Sequence, residues 1–337
     1  MTIIYTILIF GIIIFIHELG HFLAARWSGV TIYEFALGMG PAIYKHKGKK
    51  TTYSLRLLPI GGYVSMAGED EECEDENALN RKPIWKRMII VIAGAFMNLV
   101  LGLAIMLSLY ATQPIYNSTT VAQFLPNATT QATGLKVGDK IVKINKTTIF
   151  SDKDIINEVF RDSDGVVAVK VLREGKKVAL PAVKFDKTGE GTKKNINIDF
   201  KVKGIKRTVF SAVDQSFKNT LSLARNSWLS VADLVTGKLD IQDLSGPVGV
   251  GQVVGQASSQ GFKSLLFITA FITISIGMFN LLPFPALDGG RFIFLTIEAI
   301  RRKPINPKIE GYVNGAGLVL LLGLMVVVTL KDILGLF

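Results

Sequence analysis

Residues 12–25 read Ile12-Ile13-Ile14-Phe15-Ile16-His17-Glu18-Leu19-Gly20-His21-Phe22-Leu23-Ala24-Ala25. An apolar run and the pattern H-E-x-x-H are superimposed there. On a helix, His17 and His21 are four residues apart and share a face. Two imidazoles so placed can grip one metal ion. Glu18, about 100° round the helix from His17, can touch a metal-bound water without ligating the metal. The chemistry such a trio supports is metal-assisted hydrolysis: the metal lowers the pKa of its water and a carboxylate takes the proton. In a soluble protein the same letters arise by chance on a solvated helix face. Here the ionisable groups stand in an apolar run, where each costs roughly 2.5 kcal/mol or more, so a metal site is the expected reading.

The chain of 337 residues has room for one large domain or two smaller ones. Its apolar fraction of 49% and mean hydropathy of +0.38 exceed those of an ordinary soluble protein. Four stretches reach the roughly 20 apolar residues that a bilayer demands. They are residues 2–25, 88–110, 264–287 and 311–330, and the last three carry no charge. The first lacks a basic n-region, and its cleavage would discard His17 and His21, so it does not read as a removable signal peptide. The single cysteine, Cys73, excludes an internal disulfide.

A net charge of +11 is common in nucleic-acid binders, but its placement argues for a membrane and no nucleic-acid partner. Arg26, Lys45, Lys47, Lys49, Lys50, Arg56, Arg81, Lys82, Lys86 and Arg87 lie between the first two spans. Arg291, Arg301, Arg302, Lys303 and Lys308 lie between the last two. By the positive-inside rule both loops face the cytoplasm, and both termini and residues 113–263 face outside.

Residues 32–37 and 52–57 are rich in β-forming side chains that roughly alternate, with a polar turn at 45–50 between them. This predicts a β-hairpin or small sheet. Leu37-Gly38-Met39-Gly40-Pro41 and Pro59-Ile60-Gly61-Gly62 supply bends. Such a sheet beside a metal helix could pair with an extended peptide, or be a plain structural hairpin. The acidic run 69–76 reads as a solvated loop, and Lys82-Pro83-Ile84-Trp85-Lys86-Arg87 as an interfacial anchor. Gly94, Ala95, Asn98 and Gly102 suit close helix packing, with Asn98 as interhelical glue.

From about 115 to 203 the composition becomes that of a small soluble domain. Ala132-Thr133-Gly134-Leu135-Lys136-Val137-Gly138-Asp139-Lys140-Ile141-Val142 opens its core, and Arg173-Glu174-Gly175-Lys176 reads as a hairpin turn. This segment resembles a bacterial protease-type PDZ domain, which takes peptide ends by adding a strand to a sheet edge. Residues 209–235 carry Phe210, Val213, Phe217, Leu221, Ala224, Trp228, Val231 and Val235 at helical spacing. The resulting amphipathic helix fits the membrane surface, and packing on the preceding domain would give the same pattern. The third span ends Asn280-Leu-Leu-Pro283-Phe-Pro285-Ala-Leu287-Asp288-Gly289-Gly290. Two prolines there forbid an unbroken helix, and Asp288 is the best candidate for a third metal ligand.

A metzincin would need Gly at Ala24 and His at Trp27, so that class fails. The H-E-x-x-H of the first span with Asn280-x-x-Pro283-x-x-x-Leu287-Asp288-Gly289 of the third resembles the site-2 protease family. The inserted domain and Ser245-Gly246-Pro247-Val248-Gly249 resemble its bacterial RseP-type members. One departure is a single PDZ domain where some members carry two.

The resemblance implies a polytopic α-helical membrane protein: four transmembrane helices, a membrane-associated β-hairpin or sheet and an inserted α+β PDZ domain. The expected divisions are 1–112 for the first two spans and the hairpin, 115–203 for an extracytoplasmic PDZ domain, 208–260 for the amphipathic helix and connecting loop, and 261–337 for the last two spans. It implies Zn2+ held by His17, His21 and Asp288, Glu18 as general base, and Asn280, Gly38 and Gly40 in substrate binding. The implied activity is intramembrane peptide hydrolysis in the bacterial cytoplasmic membrane. Its substrates would be single-pass proteins, such as pre-trimmed anti-sigma factors or remnant signal peptides, with a substrate terminus as PDZ ligand. Two rivals stay open: a membrane-anchored protease of soluble peptides, and an inactive PDZ receptor or chaperone, against which the intact Glu18 argues.

Overall fold

The computed structural model describes residues 1–69, 73–162, 164–188, 195–238, 242 and 244–335. In chain order the elements are α1 (Thr2–Ser28), β1 (Ile32–Lys47), β2 (Thr52–Met66), α2 (Ile84–Thr112), β3 (Ile115–Phe124), α3 (Thr129–Ala132), β4 (Lys140–Ile144), β5 (Thr147–Thr148), α4 (Asp152–Arg161), β6 (Val166–Arg173), β7 (Lys176–Lys184), β8 (Asp186–Thr188), β9 (Asn195–Asn197), β10 (Phe200–Lys206), α5 (Val209–Val235), α6 (Pro247–Ser259), α7 (Phe262–Asn280), α8 (Asp288–Arg301) and α9 (Pro307–Leu334). They form two compact units, Met1–Ile105 with Asn226–Phe337, and Met106–Arg225. The acidic run 69–76 falls partly outside the described residues, at 70–72.

Among the described residues α1, α2, α7 and α9 are long and apolar enough to cross a bilayer. Their 27, 29, 19 and 28 residues rise about 28 to 44 Å against a hydrocarbon core of about 30 Å. This is the architecture of a membrane protein. The helix ends follow local chemistry. Gly29 closes α1 in the left-handed region, φ 72°, returning its N–H to Ala25 and Arg26 carbonyls. The Asn306 side chain caps α9 by accepting from Lys308 N, with Pro307 at the first helical position. The third span is shorter than its apolar run. α7 stops at Asn280, and residues 281–287 are non-helical as the two prolines require.

In the larger unit β1 and β2 are more than a hairpin. Residues 34–37 each have two partners: Glu34 with Thr52 and Ser65, Phe35 with Tyr53 and Val64, Ala36 with Ser54 and Tyr63, Leu37 with Leu55 and Gly62. The segment 32–37 therefore lies between the two halves of β2, and 42–47 pairs onward with 52–56. Bends at Gly38, Gly40 and Gly61, φ 85°, 84° and 81°, fold each long strand into two segments. A polar clamp ties the segments together. Glu34 accepts from Ser54 Oγ at 2.5 Å, Arg56 Nη2 at 3.0 Å and Tyr63 OH at 2.9 Å, while Arg56 Nη1 donates to Gly40 O at 2.8 Å. Burial alone would raise the Glu34 carboxyl, but these donors and the guanidinium charge outweigh it and hold it below its usual range. Phe22, Ala25, Phe35, Val64, Met66, Leu79 and Ile90 form the apolar core between α1, this sheet and α2. A second core joins Ile9 and Ile13 of α1 to Val254 of α6 and Ile272 of α7. At the start of α6, Asp332 Oδ2 of α9 accepts from Gly246 N at 2.9 Å and Gly249 N at 2.7 Å.

The smaller unit contains a mixed-length antiparallel sheet in the order β10-β3-β4-β6-β7 over a core of Ile141, Ile155, Val159, Val167, Val169, Val171 and Phe185. β10 pairs with β3 from Phe200↔Phe124 to Lys206↔Ile115, so this edge of β3 is already taken by the chain itself. Asp139 is fully buried and grips Arg173 through two 2.7 Å bonds.

The amphipathic helix predicted over 209–235 is α5, and its apolar stripe is the exposed face. Phe210 and Phe217 are 83% and 59% exposed, whereas Gln215, Ser216, Asn219 and Ser222 are buried. The polar side packs inward because Asp154, at the start of α4, accepts from Ser222 Oγ and pairs with Arg225 at 2.8 Å. The apolar stripe is left facing outward.

Candidate active site

His17 lies 11 residues, about 16 Å of helix rise, from the Ser28 end of α1, well inside a membrane-spanning helix. His17 Nε2 and His21 Nε2 are 3.2 Å apart. Asp288 Oδ2, from the first residue of α8, is 3.4 Å from the former and 3.6 Å from the latter. Thus the structure brings together the three residues that the sequence singled out from opposite ends of the chain.

The backbone explains how they meet. Gly20 lies against Ala93 O and Gly94 against the two imidazoles: a Cβ on Gly94 would stand 2.3 Å from His21 Nε2. Only glycine at these two positions lets α2 approach α1 at the site. The loop 281–287 folds back over the start of α8, where a Cβ on Gly289 or Gly290 would strike the carbonyls of Leu282 or Phe284. Its Ala286 is held at φ 71°, a left-handed conformation costly for a residue with a Cβ. Asn314 of α9 supports it by accepting from Ala286 N at 3.2 Å. A short, propped loop thus aims Asp288.

The trio fits zinc on its own geometry. Zinc binds His nitrogen and carboxylate oxygen at about 2.0–2.2 Å, so the edge of a tetrahedral site is about 3.3–3.6 Å. The three observed separations of 3.2, 3.4 and 3.6 Å bracket that edge. Asp288 Oδ2 is buried without a hydrogen-bond partner, which suits an oxygen that ligates a cation. His21 Nδ1 lies 2.8 Å from Ile90 O, so a proton there leaves the Nε2 lone pair free to bind a metal. Asn98, expected only as glue between helices, is fully buried with its amide 3.3 Å from His17 Nδ1.

Glu18 lines the same cavity of about 190 Å³, with Gly62, Tyr63, Val64 and Met66 of β2 on another wall. The space suits a peptide group and a water, not a bulky ligand. Glu69 and Arg291, paired at 2.5 Å, also line it. Asn280, Gly38 and Gly40 do not. Asn280 is half-buried at the end of α7, and Gly38 and Gly40 bend the sheet beside Leu58 and Arg56. Sequence reasoning missed Ile90 O, Glu69, Arg291 and Asn314, whose partners lie 28 to 222 residues away. The one available signal was Asn98, a carboxamide inside an uncharged span.

Residues 5–324 match peptidase family M50. The chain is 32% identical to the regulator of sigma-W protease RasP of Bacillus subtilis over 418 aligned positions, covering 100% of this chain and 99% of that protein. It is 31% identical to the zinc metalloprotease RasP of Bacillus licheniformis, again over 100% and 99% of the two chains. A Clostridium perfringens protein named for zinc metalloprotease activity is 38% identical over 335 residues, 99% of each chain. With a matched family over nearly its whole length, a zinc-compatible trio at membrane depth and a carboxylate beside it, this chain belongs to peptidase family M50, the site-2 proteases, and is an intramembrane zinc metalloprotease.

Proposed function

We propose that His17, His21 and Asp288 hold the zinc ion and that Glu18 is the general base, in a protease that cuts single-pass membrane proteins within or near their transmembrane segments. The observation that carries this reading is the convergence of two histidine nitrogens and a carboxylate oxygen on one cavity shared with Glu18. When bound, zinc supplies Lewis acidity toward a carbonyl and toward water. Glu18 takes the proton of the attacking water on its carboxylate and returns it to the departing amine.

A transmembrane substrate hides its carbonyls in helical hydrogen bonds and must be unwound first. Segment 62–66 has a strand partner on one side only among the described residues, and four of its residues line the cavity. An unwound substrate added as a strand there would pass the zinc site. Asn280 acts at the end of α7 on the same unwound segment, while Gly38 and Gly40 shape the sheet that receives it. The name of the Bacillus subtilis relative, regulator of sigma-W protease, supports a role for this chain upstream of a sigma factor. A pre-trimmed anti-sigma factor or a remnant signal peptide is the substrate class this reading takes.

Residues 115–203 act as a PDZ domain on the outer face, with both termini on that side, and 1–112, 208–260 and 261–337 as the membrane and connecting segments. Since β10 covers β3, a substrate terminus must displace β10 or pair with the opposite edge, β7. The deciding experiment compares purified wild type with Glu18→Gln on a single-span reporter, with zinc measured in both. Cutting within the span by wild type, and none by a zinc-loaded Glu18→Gln, is expected. Cutting only in soluble flanks, or zinc in neither protein, overturns the reading.

A further inference from the structure

A histidine that ligates through Nε2 carries its proton on Nδ1, and that proton needs an acceptor. For His21 the acceptor is Ile90 O. The His17 ring has two partners on α2: the Gly94 backbone, one turn from Ile90, and the side-chain amide of Asn98, 81 residues away and 3.3 Å from Nδ1. As placed, Asn98 Nδ2 faces the ring nitrogen, and Oδ1 is buried without a hydrogen-bond partner. That orientation suits a His17 protonated on Nε2, the nitrogen that faces His21 and Asp288. A half turn of the carboxamide exchanges its two terminal atoms, which are nearly equal in size, and presents an acceptor to Nδ1–H.

We propose that Asn98 is a positioning residue of the metal centre, its Oδ1 accepting from His17 Nδ1–H and so fixing the tautomer and ring plane in which Nε2 is free to ligate. The inference rests on the reading of His17 as a zinc ligand. The surroundings hold Asn98 to this task. Thr273 Oγ1 of α7 donates to the Asn98 backbone carbonyl at 3.3 Å, and a Cβ on Gly277 would lie 3.2 Å from Asn98 Cβ. The helix that leads to Asp288 therefore presses Asn98 from behind. An amide serving only to pack would have both its polar ends satisfied or would be replaced by Leu at no loss.

The test measures the zinc dissociation constant of the full-length protein in detergent, by competition with a chromophoric chelator, together with thermal unfolding of the metal-free forms. Asn98→Leu keeps the volume and removes the acceptor. Its zinc affinity should fall about 10- to 100-fold with the metal-free unfolding temperature unchanged. Asn98→Asp keeps an acceptor on Nδ1–H and should stay within a few-fold of wild type. A packing role predicts the reverse order, with Leu tolerated and the buried Asp disruptive. Unaltered affinity in Asn98→Leu, or equal losses in both variants with lowered unfolding temperatures, overturns the proposal. His17→Ala separates the two levels: if it keeps zinc at wild-type affinity, the ligand reading itself is at fault.

Discussion

Gly94→Ala places a methyl carbon 2.3 Å from His21 Nε2 and 2.8 Å from His17 Cε1. Ordinary contact begins at 3.4 Å, so His21 must yield by about 1.1 Å. Neither neighbour of α2 leaves slack for the helix to absorb this, since Gly20 of α1 lies against Ala93 O and Gly277 of α7 against Ala95 O. A misplacement of about 1 Å in a catalytic constellation costs on the order of 100-fold in rate. We expect Gly94→Ala to cut a single-span reporter at least about 100-fold more slowly and to lose zinc affinity. Gly102→Ala is the matched comparison. On the same helix it creates an equal 2.3 Å approach, but to Ile274 Cγ1 and to no ligand. Its overpacking costs about 1–3 kcal/mol of stability and should leave zinc affinity within a few-fold of wild type. Wild-type zinc affinity and cleavage in Gly94→Ala would refute the argument that glycine is required there. Equal zinc loss in Gly102→Ala would show that any crowding of α2 has this effect.

Two further outcomes follow from the smaller unit and from α5. Burial alone would push the Asp139 carboxyl up, but the Arg173 bonds, the Lys136 N–H and the neighbouring positive charges outweigh it and hold it below its usual range. A depressed native pKa means that this stabilisation is complete above the unfolded value near 3.9 and fades as pH falls through the lower folded one. Hydrogen-exchange protection of β4 and β6 in the full-length protein should therefore stay level from pH 7 to about 5 with respect to this pair, and decline below about 4. Asp139→Ala should lower it by about 3 kcal/mol at pH 7, and a loss under about 1 kcal/mol would refute the assignment. The outward stripe of α5 includes Trp228. In a Trp27→Phe, Trp85→Phe background its fluorescence should be quenched by brominated lipids, and unquenched emission would show that the stripe does not meet the bilayer.

The spans were legible because length and absence of charge are local properties; the apolar run 264–287 overran the end of α7 at Asn280, and Pro283 with Pro285 gave the reason for a break there. His17, Glu18, His21 and Asp288 were legible because ionisable groups stand out against apolar flanks. The doubled pairing of residues 34–37 was not, since Thr52 and Ser65 offer equally good alternation and only the three-dimensional bends decide between them. The stripe of α5 was visible, but periodicity says that two faces differ and not which is buried. In a chain bounded by lipid, burial of the polar face is open to selection, and Asp154 makes it the favoured one. Asn98 could be noticed but not assigned, because its partner is set by the crossing of α1 and α2. The covering of β3 by β10 depends on a return of the chain after about 75 residues, which no local pattern encodes.

The propped loop that aims Asp288 has a consequence for biogenesis. The histidines and Glu18 leave the ribosome about 270 residues before Asp288, and the loop's support, Asn314, comes later still. At roughly 5–20 residues per second, that interval is about 14 to 54 s. Asp332, which fastens the start of α6, is made more than 80 residues after the glycines it holds. A growing chain thus carries half of a hydrolytic centre, open and incomplete, throughout the insertion of its other spans. The trio closes only once the loop before α8 has its support from α9, after α1, α2 and α7 have been made.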